Sequence, residues 1–522
     1  MGPSLRIVCI NDVYSLENLP RLATLLRHHR EFEPADRTLV TLAGDFVAPS
    51  LLSGLDAGRG MVDCLNHLGV THVSLGNHED DIATEELHRR IAEFSGIWLS
   101  TNVRGFDAKL VPDEVVQLGR VRVGLLGVVM DDHAAYRRPP FGGAVVAPPN
   151  QTVIEEASRL VLEERCDVVI PLTHQSVKDD RALATWPVSP PFPLILGGHE
   201  HSVFLEQIGA TWLVKAGTDA EHAVIADLVW PEEKPLDAPD LPRVTVRLED
   251  VASYPIDPKL RTLVDSHLAK VHELEHATLI SLKPGELLSS VGARMRETSL
   301  GACVCSAIRD SLGAEGCLVN GGGIRANRDY ARHFTYADLK TELPFDNSVV
   351  VARLPGRVVA EAIAASRSRA PAESGGFLQV DDRMRIEDGT NKLLELAGAP
   401  LEENRDYRIA LVRDLFGGMD HQEPLLAFAR AHPERVPPIE SGRDIKHALV
   451  HAFSLGLWRQ LGGFDRVDAN HDGVVSEEEL AAAVARVTQE APSALAASLV
   501  MEALGARDHQ LSAAPSEKTC LS

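Results

Sequence analysis

The first half of the chain alternates short apolar runs with longer amphipathic stretches, and this alternation limits the possible folds more than any other feature. Helical patterns separate several of the apolar runs, as at 18–32 and 84–95. Such alternation predicts a layered α/β domain. Six apolar runs have the length and composition of buried strands, and they span 5–10, 38–44, 71–76, 121–129, 166–174 and 193–199.

Polar residues cluster at the points where these predicted strands stop. In open α/β sheets, the ligand crevice lies outside the carboxyl ends of the strands, so we expect these side chains to meet at one edge. The strand-end groups are Asn11-Asp12, Gly44-Asp45, Gly76-Asn77-His78, Thr173-His174 and Gly198-His199.

The side chains at these ends are of the kinds that Zn, Mn and Fe ions bind. Each one taken alone has an ordinary explanation, such as a helix cap, a turn or a buried histidine. Six at consecutive strand ends share no such explanation, so the set predicts two metal sites with Asp45 as the bridge. The candidate ligands are Asp12, Asp45, Asn77, His174, His199 and His201.

Composition excludes several classes of function. The net charge of −23 argues against binding to a nucleic-acid polymer or an anionic membrane, although metal ions can still attract anionic substrates. The seven cysteines are too few and too scattered for a disulfide framework, so we expect reduced thiols. The chain shows neither a signal peptide nor an apolar run of about 18 residues, and we expect a cytosolic protein without a membrane span.

A polar stretch with several prolines at 232–242 marks the end of the first domain. We therefore predict a first domain at 1–245 and a linker with a connecting helix at 246–285. A second α/β unit follows at 286–443, and a small helical module follows at 444–515.

The segment DANHDGVVSEEE at 468–479 fits a calcium-binding EF-hand loop. Gly473 provides the turn at position 6, and predicted helices flank the loop on both sides. A degenerate second hand follows at 493–513 without carboxylates at the ligand positions, so we expect one bound Ca²⁺. The proposed calcium ligands are Asp468, Asn470, Asp472, Val474, Ser476 and Glu479.

Taken in order, the motifs NDVY, GDF, GNHEDD, THQ and GGHEH resemble those of the calcineurin-like metallophosphoesterase superfamily. The later motifs RETSLG, VNGGGIRA, LPFDN and GGFLQV are similar to the C-terminal substrate-binding domain of its 5′-nucleotidase branch. The resemblance covers roughly 1–440. It implies an N-terminal four-layer α/β/β/α domain and a second α/β domain that binds substrate, to which the EF-hand module is added.

The resemblance also implies roles for individual residues. Asp12, Asp45 and His201 would bind one metal, and Asp45, Asn77, His174 and His199 would bind the other. His78 would stabilise the transition state or protonate the leaving group, and Asp81 would orient it. The attacking group would be a metal-activated water.

In the second domain, Arg294 and Arg325 match arginines that bind substrate anions in the family, and Phe345 matches one of two aromatics that enclose the base. Asn320 and Gly322 are assigned to the same substrate site, where glycines let the backbone approach a ligand closely. Core packing is an equally good explanation for Phe345.

The chain departs from the family pattern at three places. Tyr14 stands where the family has a histidine, and is a possible further ligand, better suited to a hard ion such as ferric iron than to Zn. Arg413 replaces the second aromatic, and an arginine can also stack on a base. Met419-Asp420-His421 replaces a family Asp-Gly-Tyr segment, which leaves ribose recognition open.

The sequence therefore predicts a dinuclear-metal phosphoester hydrolase of the 5′-nucleotidase type, acting on nucleotides or related phosphomonoesters and carrying a calcium-binding hand. One alternative is a calcium-binding interaction protein with a decayed phosphatase core. Another is a phosphodiesterase or sugar-nucleotide hydrolase on the same scaffold.

Overall fold

The computed structural model describes residues 2–33, 35–106, 108–132, 135–136, 139–233, 240–273, 278–345, 347–369, 372–438, 441–471 and 475–488. The chain divides into two compact units, Met1–Ala269 and Lys270–Ser522. The division falls inside the segment 246–285 that the sequence identifies as a linker, and the other domain limits stay predictions.

The first unit is built mainly from strands, which follow the apolar runs of the sequence closely. In chain order they are β1 (Ser4–Ile10), β2 (Arg37–Ala43), β3 (His72–Ser74), β4 (Ile97–Leu99), β5 (Val103–Arg104), β6 (Asp113–Leu118), β7 (Val121–Val129), β8 (Val145–Val146), β9 (Val168–His174), β10 (Leu194–Gly198), β11 (Val203–Ile208), β12 (Thr211–Ala216), β13 (His222–Val229) and β14 (Arg243–Asp250).

Helices lie between many of these strands. They are α1 (Leu19–Glu31), α2 (Leu51–Asp56), α3 (Arg59–Leu68), α4 (Thr84–Glu93), α5 (Pro140–Gly143), α6 (Pro149–Leu162), α7 (Val177–Ala184) and α8 (Pro258–Glu273).

Most strands of the unit form two six-stranded sheets, ordered β14-β13-β1-β2-β3-β4 and β11-β12-β10-β9-β7-β6. Strands β1 to β4 are parallel, and so are β7, β9, β10 and β12. Strand β13 runs antiparallel to β1, and β11 runs antiparallel to β12. The parallel arrangement matters for the site, because it brings the carboxyl ends of β1, β2 and β3 to one edge and those of β9 and β10 to another.

The two sheets pack against each other through an aliphatic core. Ile7 and Leu39 contribute to it from the first sheet, and Val123 and Ile170 contribute from the second. All four side chains are inaccessible to solvent. The apolar strand faces predicted from sequence are therefore the faces that the sheets turn toward each other.

Helices cover the outer face of each sheet. Neighbouring side chains alternate across a strand, so Arg6 of β1 points away from the core, and its Nη1 lies 3.5 Å from Nδ1 of His29 in α1. On the second sheet, Val153 of α6 and Leu183 of α7 join the outer apolar cluster. The first unit thus has the helix–sheet–sheet–helix order that the resemblance implies.

The second unit is a mixed α/β structure. Its main sheet has the order β21-β17-β25-β20-β26. The strands are β15 (Thr278–Ser281), β16 (Leu288–Ser289), β17 (Gly316–Asn320), β18 (Asp329–Tyr330), β19 (His333–Thr335), β20 (Ser348–Pro355), β21 (Leu378–Val380), β22 (Arg385–Ile386), β23 (Leu393–Leu396), β24 (Ala399–Pro400), β25 (Asp406–Val412) and β26 (Arg443–Asp444). The helices are α9 (Ser299–Ser311), α10 (Tyr336–Glu342), α11 (Gly356–Ser366), α12 (Glu423–Ala431), α13 (Ile445–Leu461), α14 (Phe464–Val467) and α15 (Glu477–Thr488).

Two predictions made from composition can be compared with the described residues. The six cysteines among them are free and buried, as expected, while Cys520 lies outside the described part of the chain. No helix in the described residues combines the length and apolar character needed to cross a bilayer.

Candidate metal centre

The six candidate ligands lie at the carboxyl ends of parallel strands in the first unit. Asp12, Asp45 and Asn77 follow β1, β2 and β3, which are neighbours in the first sheet. In the second sheet, His174 ends β9, and His199 and His201 follow β10. All are buried except His201, whose side chain is 37% exposed.

Asp45 lies within reach of both sheets. Its Oδ2 lies 3.1 Å from Nε2 of His174. Asp12, Asp45 and His174 each offer a ligand atom within 4.8 Å of the other two. Nε2 of His201 lies 3.7 Å from Oδ1 of Asp12. The structure thus brings together the four residues that carry most of the predicted metal chemistry.

Three of these residues have a positive φ angle, a backbone conformation that residues other than glycine rarely adopt. The φ angles are 52° at Asp12, 55° at Asp45 and 87° at His199. A positive φ costs free energy for any residue with a Cβ, and such residues concentrate at functional sites. Hydrogen bonds hold the strained turns, because the N–H of His199 donates to Oδ2 of Asp12 at 2.9 Å.

Position 76 requires a glycine, because the loop after β3 passes very close to the Asp45 side chain that follows β2. A Cβ at this position would lie 2.2 Å from Oδ1 of Asp45, closer than any real contact. The GNH segment therefore places its glycine where the Asp45 carboxylate needs the space.

Glu79 supports the metal centre, although sequence reasoning gave it no role. Its carboxylate is completely buried and accepts hydrogen bonds from the N–H groups of Asp45, Phe46, Val47 and Gly76 at 2.5–3.1 Å. These four bonds fix the backbone that carries Asp45 beside the loop that carries Asn77. The signal was available, since Glu79 lies inside the motif GNHEDD.

The charges in the cluster strongly perturb one another. Burial raises the pKa of Asp12 to about 7 in spite of the nearby His174. Burial alone would lower the pKa of His174, but the carboxylates of Asp45 and Asp12 outweigh it and raise that pKa to about 10. Burial, together with His174, lowers the pKa of His199 well below its ordinary value. A cation at this site would take the place of these protons in balancing the buried carboxylates.

The residues present fit a metal centre. Among the described residues, Oδ1 of Asn77 and Nδ1 of His199 are buried without a hydrogen-bond partner. Such orphaned polar atoms are costly unless a ligand satisfies them. Nδ1 of His174 donates to the carbonyl of Ala43 at 2.9 Å, which turns Nε2 toward Asp45. Carboxylate, amide and imidazole atoms form a donor set suited to Zn, Mn or Fe.

His78 and Asp81 lie beside this cluster in a short 3₁₀ helix, His78–Asp81. Nδ1 of His78 donates to Oδ2 of Asp81 at 2.8 Å, and the backbone N–H of His78 donates to Oδ1 of Asp45 at 2.8 Å. The first bond fixes the ring orientation, and the second ties the backbone of His78 to Asp45. This is the arrangement expected for a histidine that meets a reacting group.

In the second unit, three of the six predicted substrate residues contact either the segment 374–376 or Asp420. Nδ2 of Asn320 donates to Oδ2 of Asp420 at 2.6 Å, and the N–H of Gly322 donates to the carbonyl of Gly375 at 2.7 Å. The carbonyl of Arg294 accepts from the N–H of Ser374 at 2.9 Å. Asp420 was not among the predicted site residues, yet its carboxylate lies among them.

The remaining three predicted substrate residues differ in their surroundings. The guanidinium of Arg325 lies 5.6 Å from the ring centre of Phe345, which is 47% exposed and therefore not a core residue. Nε of Arg413 donates to the carbonyl of Pro437 at 3.2 Å. Its half-buried side chain thus has a structural partner in the second unit.

Parts of the predicted calcium loop are described. Oε1 of Glu479 accepts from the N–H groups of Ala469 and Asn470 at 3.0 and 3.1 Å, and Oε2 accepts from the N–H of Ser476 at 3.0 Å. Asp468 is buried at the start of the loop. Asp472, Gly473 and Val474 lie outside the described residues, as does the second hand, so the EF-hand stays a prediction.

Comparison with known proteins agrees with this arrangement. Residues 5–203 match the calcineurin-like phosphoesterase family, and residues 279–426 match the C-terminal domain of 5′-nucleotidases. The chain joins a calcineurin-like phosphoesterase domain to a 5′-nucleotidase C-terminal domain. It is an enzyme of the metallophosphoesterase type.

Relatives of this two-domain hydrolase match over much of the chain. Protein UshA of Yersinia enterocolitica is 23% identical over 421 residues, which cover 69% of this chain and 76% of that protein. The 5′-nucleotidase of Bos taurus is 23% identical over 411 residues, which cover 71% of this chain and 70% of that protein.

Solved structures show the same fold. The NAD nucleotidase of Haemophilus influenzae superposes with a TM-score of 0.69 at 15% identity, over 89% of this chain and 97% of that one. A 5′-nucleotidase precursor from Thermus thermophilus gives a TM-score of 0.52 at 19% identity, over 86% of this chain and 96% of that one.

Proposed function

We propose that this hydrolase is a two-metal phosphomonoesterase of the 5′-nucleotidase type, which removes phosphate from nucleotides or related esters. The observation that carries the proposal is the buried cluster in which Asp45 lies between Asp12 and His174 at the strand ends. The 5′-nucleotidases among the relatives support a nucleotide as the substrate.

Each residue of the cluster has a task in this proposal. Asp45, Asn77, His174 and His199 hold one ion, and Asp12, Asp45 and His201 hold the other. When bound, the two ions supply the positive charge that polarises the phosphate ester and assists the attacking water.

In this proposal, His78 stabilises charge on a phosphoryl oxygen or gives a proton to the leaving group. Asp81 accepts the Nδ1 proton of His78 and so keeps the ring in one orientation. The backbone N–H of His78 also donates to Asp45. This bond holds the proposed proton donor, His78, at a fixed distance from the metal centre.

The second unit supplies groups suited to a nucleotide. Arg325 and Arg294 suit an anionic group, since a guanidinium pairs with phosphate through two parallel hydrogen bonds. The exposed ring of Phe345 beside Arg325 provides a face on which a base can stack. Oδ1 of Asn320 is buried without a hydrogen-bond partner among the described residues, and in this proposal it accepts a hydrogen bond from the substrate.

The alternative of a decayed phosphatase core is disfavoured. A protein that had lost its metals would gain stability by replacing the strained Asp12, Asp45 and His199 and the orphaned atom of Asn77. A phosphodiester or dinucleotide substrate on the same scaffold remains the second candidate, and the fold shared with a NAD nucleotidase favours including it in the test.

A calcium ion at residues 468–479 completes the proposal. The carboxylate of Glu479 accepts hydrogen bonds from the N–H groups of Asn470, near the start of the loop, and Ser476, near its end. This position suits the bidentate glutamate that completes the coordination of Ca²⁺ in an EF-hand. The cytosolic location and a calcium-dependent partner stay predictions.

The test combines metal analysis with a substrate panel. Protein loaded with Mn²⁺ or Zn²⁺ is assayed with nucleoside monophosphates, p-nitrophenyl phosphate, cyclic nucleotides and a dinucleotide. We expect monophosphate hydrolysis that Asp45→Asn lowers by at least about 100-fold, in line with the several kcal/mol that metal ions contribute.

The matched control is Asp36→Asn, which alters a carboxylate that binds the N–H of Ser4 at 2.8 Å instead of a metal. Hydrolysis that survives Asp45→Asn, or a purified protein that binds no transition metal, would refute the proposal.

A further inference from the structure

The phenol oxygen of Tyr14 lies among three of the candidate ligands. It is 3.2 Å from Oδ1 of Asp12, 3.3 Å from Oδ2 of Asp45 and 3.1 Å from Nε2 of His201. The turn that carries it is fixed, because the N–H of Tyr14 donates to Oδ1 of Asp219 at 2.8 Å. The phenol is therefore a member of the cluster.

Hydrogen bonding alone does not explain this position. A phenol has one proton, so it can donate to only one of the two carboxylates of Asp12 and Asp45. Both distances exceed the range of about 2.5–3.0 Å that is usual for O–H···O hydrogen bonds. Once Asp12 has lost its own proton, the remaining carboxylate contact brings two electron-rich oxygens together without a proton between them.

A shared cation explains how far the Tyr14 oxygen lies from its three neighbours. Metal–oxygen and metal–nitrogen distances of about 2.0–2.2 Å place neighbouring ligand atoms about 3.0–3.5 Å apart around one ion. The three contacts of the Tyr14 oxygen, at 3.1–3.3 Å, fall within that range. The oxygen does not occupy the place of the ion itself, since it would then lie about 2.1 Å from each ligand atom.

We propose that the phenol oxygen of Tyr14 is a direct ligand of the cation held by Asp12, Asp45 and His201. This inference rests on the two-metal site proposed above. On ligation, the O–H bond breaks, the proton passes to solvent and the oxygen keeps the electron pair that binds the cation. Two carboxylates and a phenolate then surround this ion with one neutral imidazole, so the site favours a hard, highly charged ion such as Fe³⁺ over Zn²⁺.

The test compares four proteins loaded in turn with iron, Mn²⁺ or Zn²⁺: the wild type, Tyr14→Phe, Tyr14→His and Tyr136→Phe. Elemental content, metal affinity and visible absorption of the ferric protein are measured. Tyr136 provides the matched control, because it is also a buried tyrosine but donates its hydroxyl to the carbonyl of Met130 at 2.7 Å.

We expect two ions in the wild type and a visible phenolate-to-iron absorption band in its ferric form. Tyr14→Phe should lose the band and bind one of the two ions at least about tenfold more weakly, as loss of support for a metal commonly does. Tyr14→His should restore the second ion without the band, which shows that the loss in Tyr14→Phe is not a folding defect. Tyr136→Phe should keep both the ions and the band.

The outcomes separate this inference from the proposed function. If the wild type binds two ions and Tyr14→Phe binds both with unchanged affinity, Tyr14 is not a ligand and the two-metal proposal stands. If the wild type binds one ion that Tyr14→Phe loses, Tyr14 is a ligand and the two-metal proposal fails. If the wild type binds no ion, both proposals fail.

Discussion

The ammonium nitrogen of Lys215 lies 2.8 Å from Oδ2 of Asp180, and both side chains are completely buried. The same nitrogen donates to the carbonyls of Gln175 and Gly198 at 2.8 and 2.7 Å, and it also pairs with Glu200. Gln175 and Gly198 are the chain neighbours of His174 and His199. Lys215 thus joins the ends of β9 and β10, which carry the candidate metal ligands His174 and His199.

We predict that Lys215→Met destabilises the protein by about 3–5 kcal/mol, because it leaves the charges of Asp180 and Glu200 buried without a cation. Urea unfolding measures the loss. Lys178→Met is the control, since Lys178 lies two residues before Asp180 in the same helix but is exposed, and its replacement should change stability by less than about 0.5 kcal/mol. Equal stability of the two variants would show that the buried network contributes little.

Glu79→Gln should weaken metal binding by about 10–100-fold. Burial, followed by Asp45, raises the pKa of Glu79, while hydrogen bonds from backbone N–H groups oppose the shift. A glutamine amide offers one acceptor oxygen and would turn its NH₂ toward some of those N–H donors. Calorimetric titration with Mn²⁺ measures the affinity, and Glu85→Gln, at an exposed position, should leave it unchanged. A wild-type affinity in Glu79→Gln would count against the supporting role.

His78→Ala should lower kcat by about 10²–10⁴-fold, the usual contribution of a general acid. Asp81→Asn should lower it by about 10–100-fold, because the amide no longer fixes the ring nitrogen that donates to it. Steady-state kinetics on the best phosphate ester measures both effects. The metal content of both variants should equal that of the wild type, and a loss of metal would assign the defect to the metal centre instead.

Metal removal should destabilise the protein more as pH rises from 5 to 9. In the metal-free protein, the pKa of Asp12 is raised from 3.8 to about 7. Its contribution to the free energy of unfolding is therefore complete below pH 3.8 and is lost as pH rises to about 7. The pKa of His174 is raised from 6.5 to about 10, so its contribution is complete below 6.5 and lost as pH rises toward 10.

Bound cations replace these protons, so the metal-loaded protein should not show that loss. Thermal unfolding with and without a chelator, at several pH values, measures the difference. A chelator effect that shrinks as pH rises would contradict the predicted direction.

Local patterns were enough to locate the strands and their polar ends. The alternation of apolar runs placed β1, β2, β7, β9 and β10 within two residues of their ends, because each strand is buried along most of its length. The six candidate ligands followed from the rule that parallel strands expose their carboxyl ends together. Strands β13 and β14 were missed, since β13 pairs with β1 across more than 200 residues and that pairing leaves no local signal.

The sequence alone determined which residues stand at the strand ends. The apolar pattern of a strand and the spacing of a motif both depend only on residues that are close together in the chain. Only the tertiary structure decided how Glu79 and Lys215 hold those ends, and that Tyr14 lies within 3.3 Å of Asp12, Asp45 and His201. These contacts join residues that are far apart in the sequence, such as Tyr14 and His201. Their geometry depends on how the two sheets pack, which no local stretch of sequence specifies.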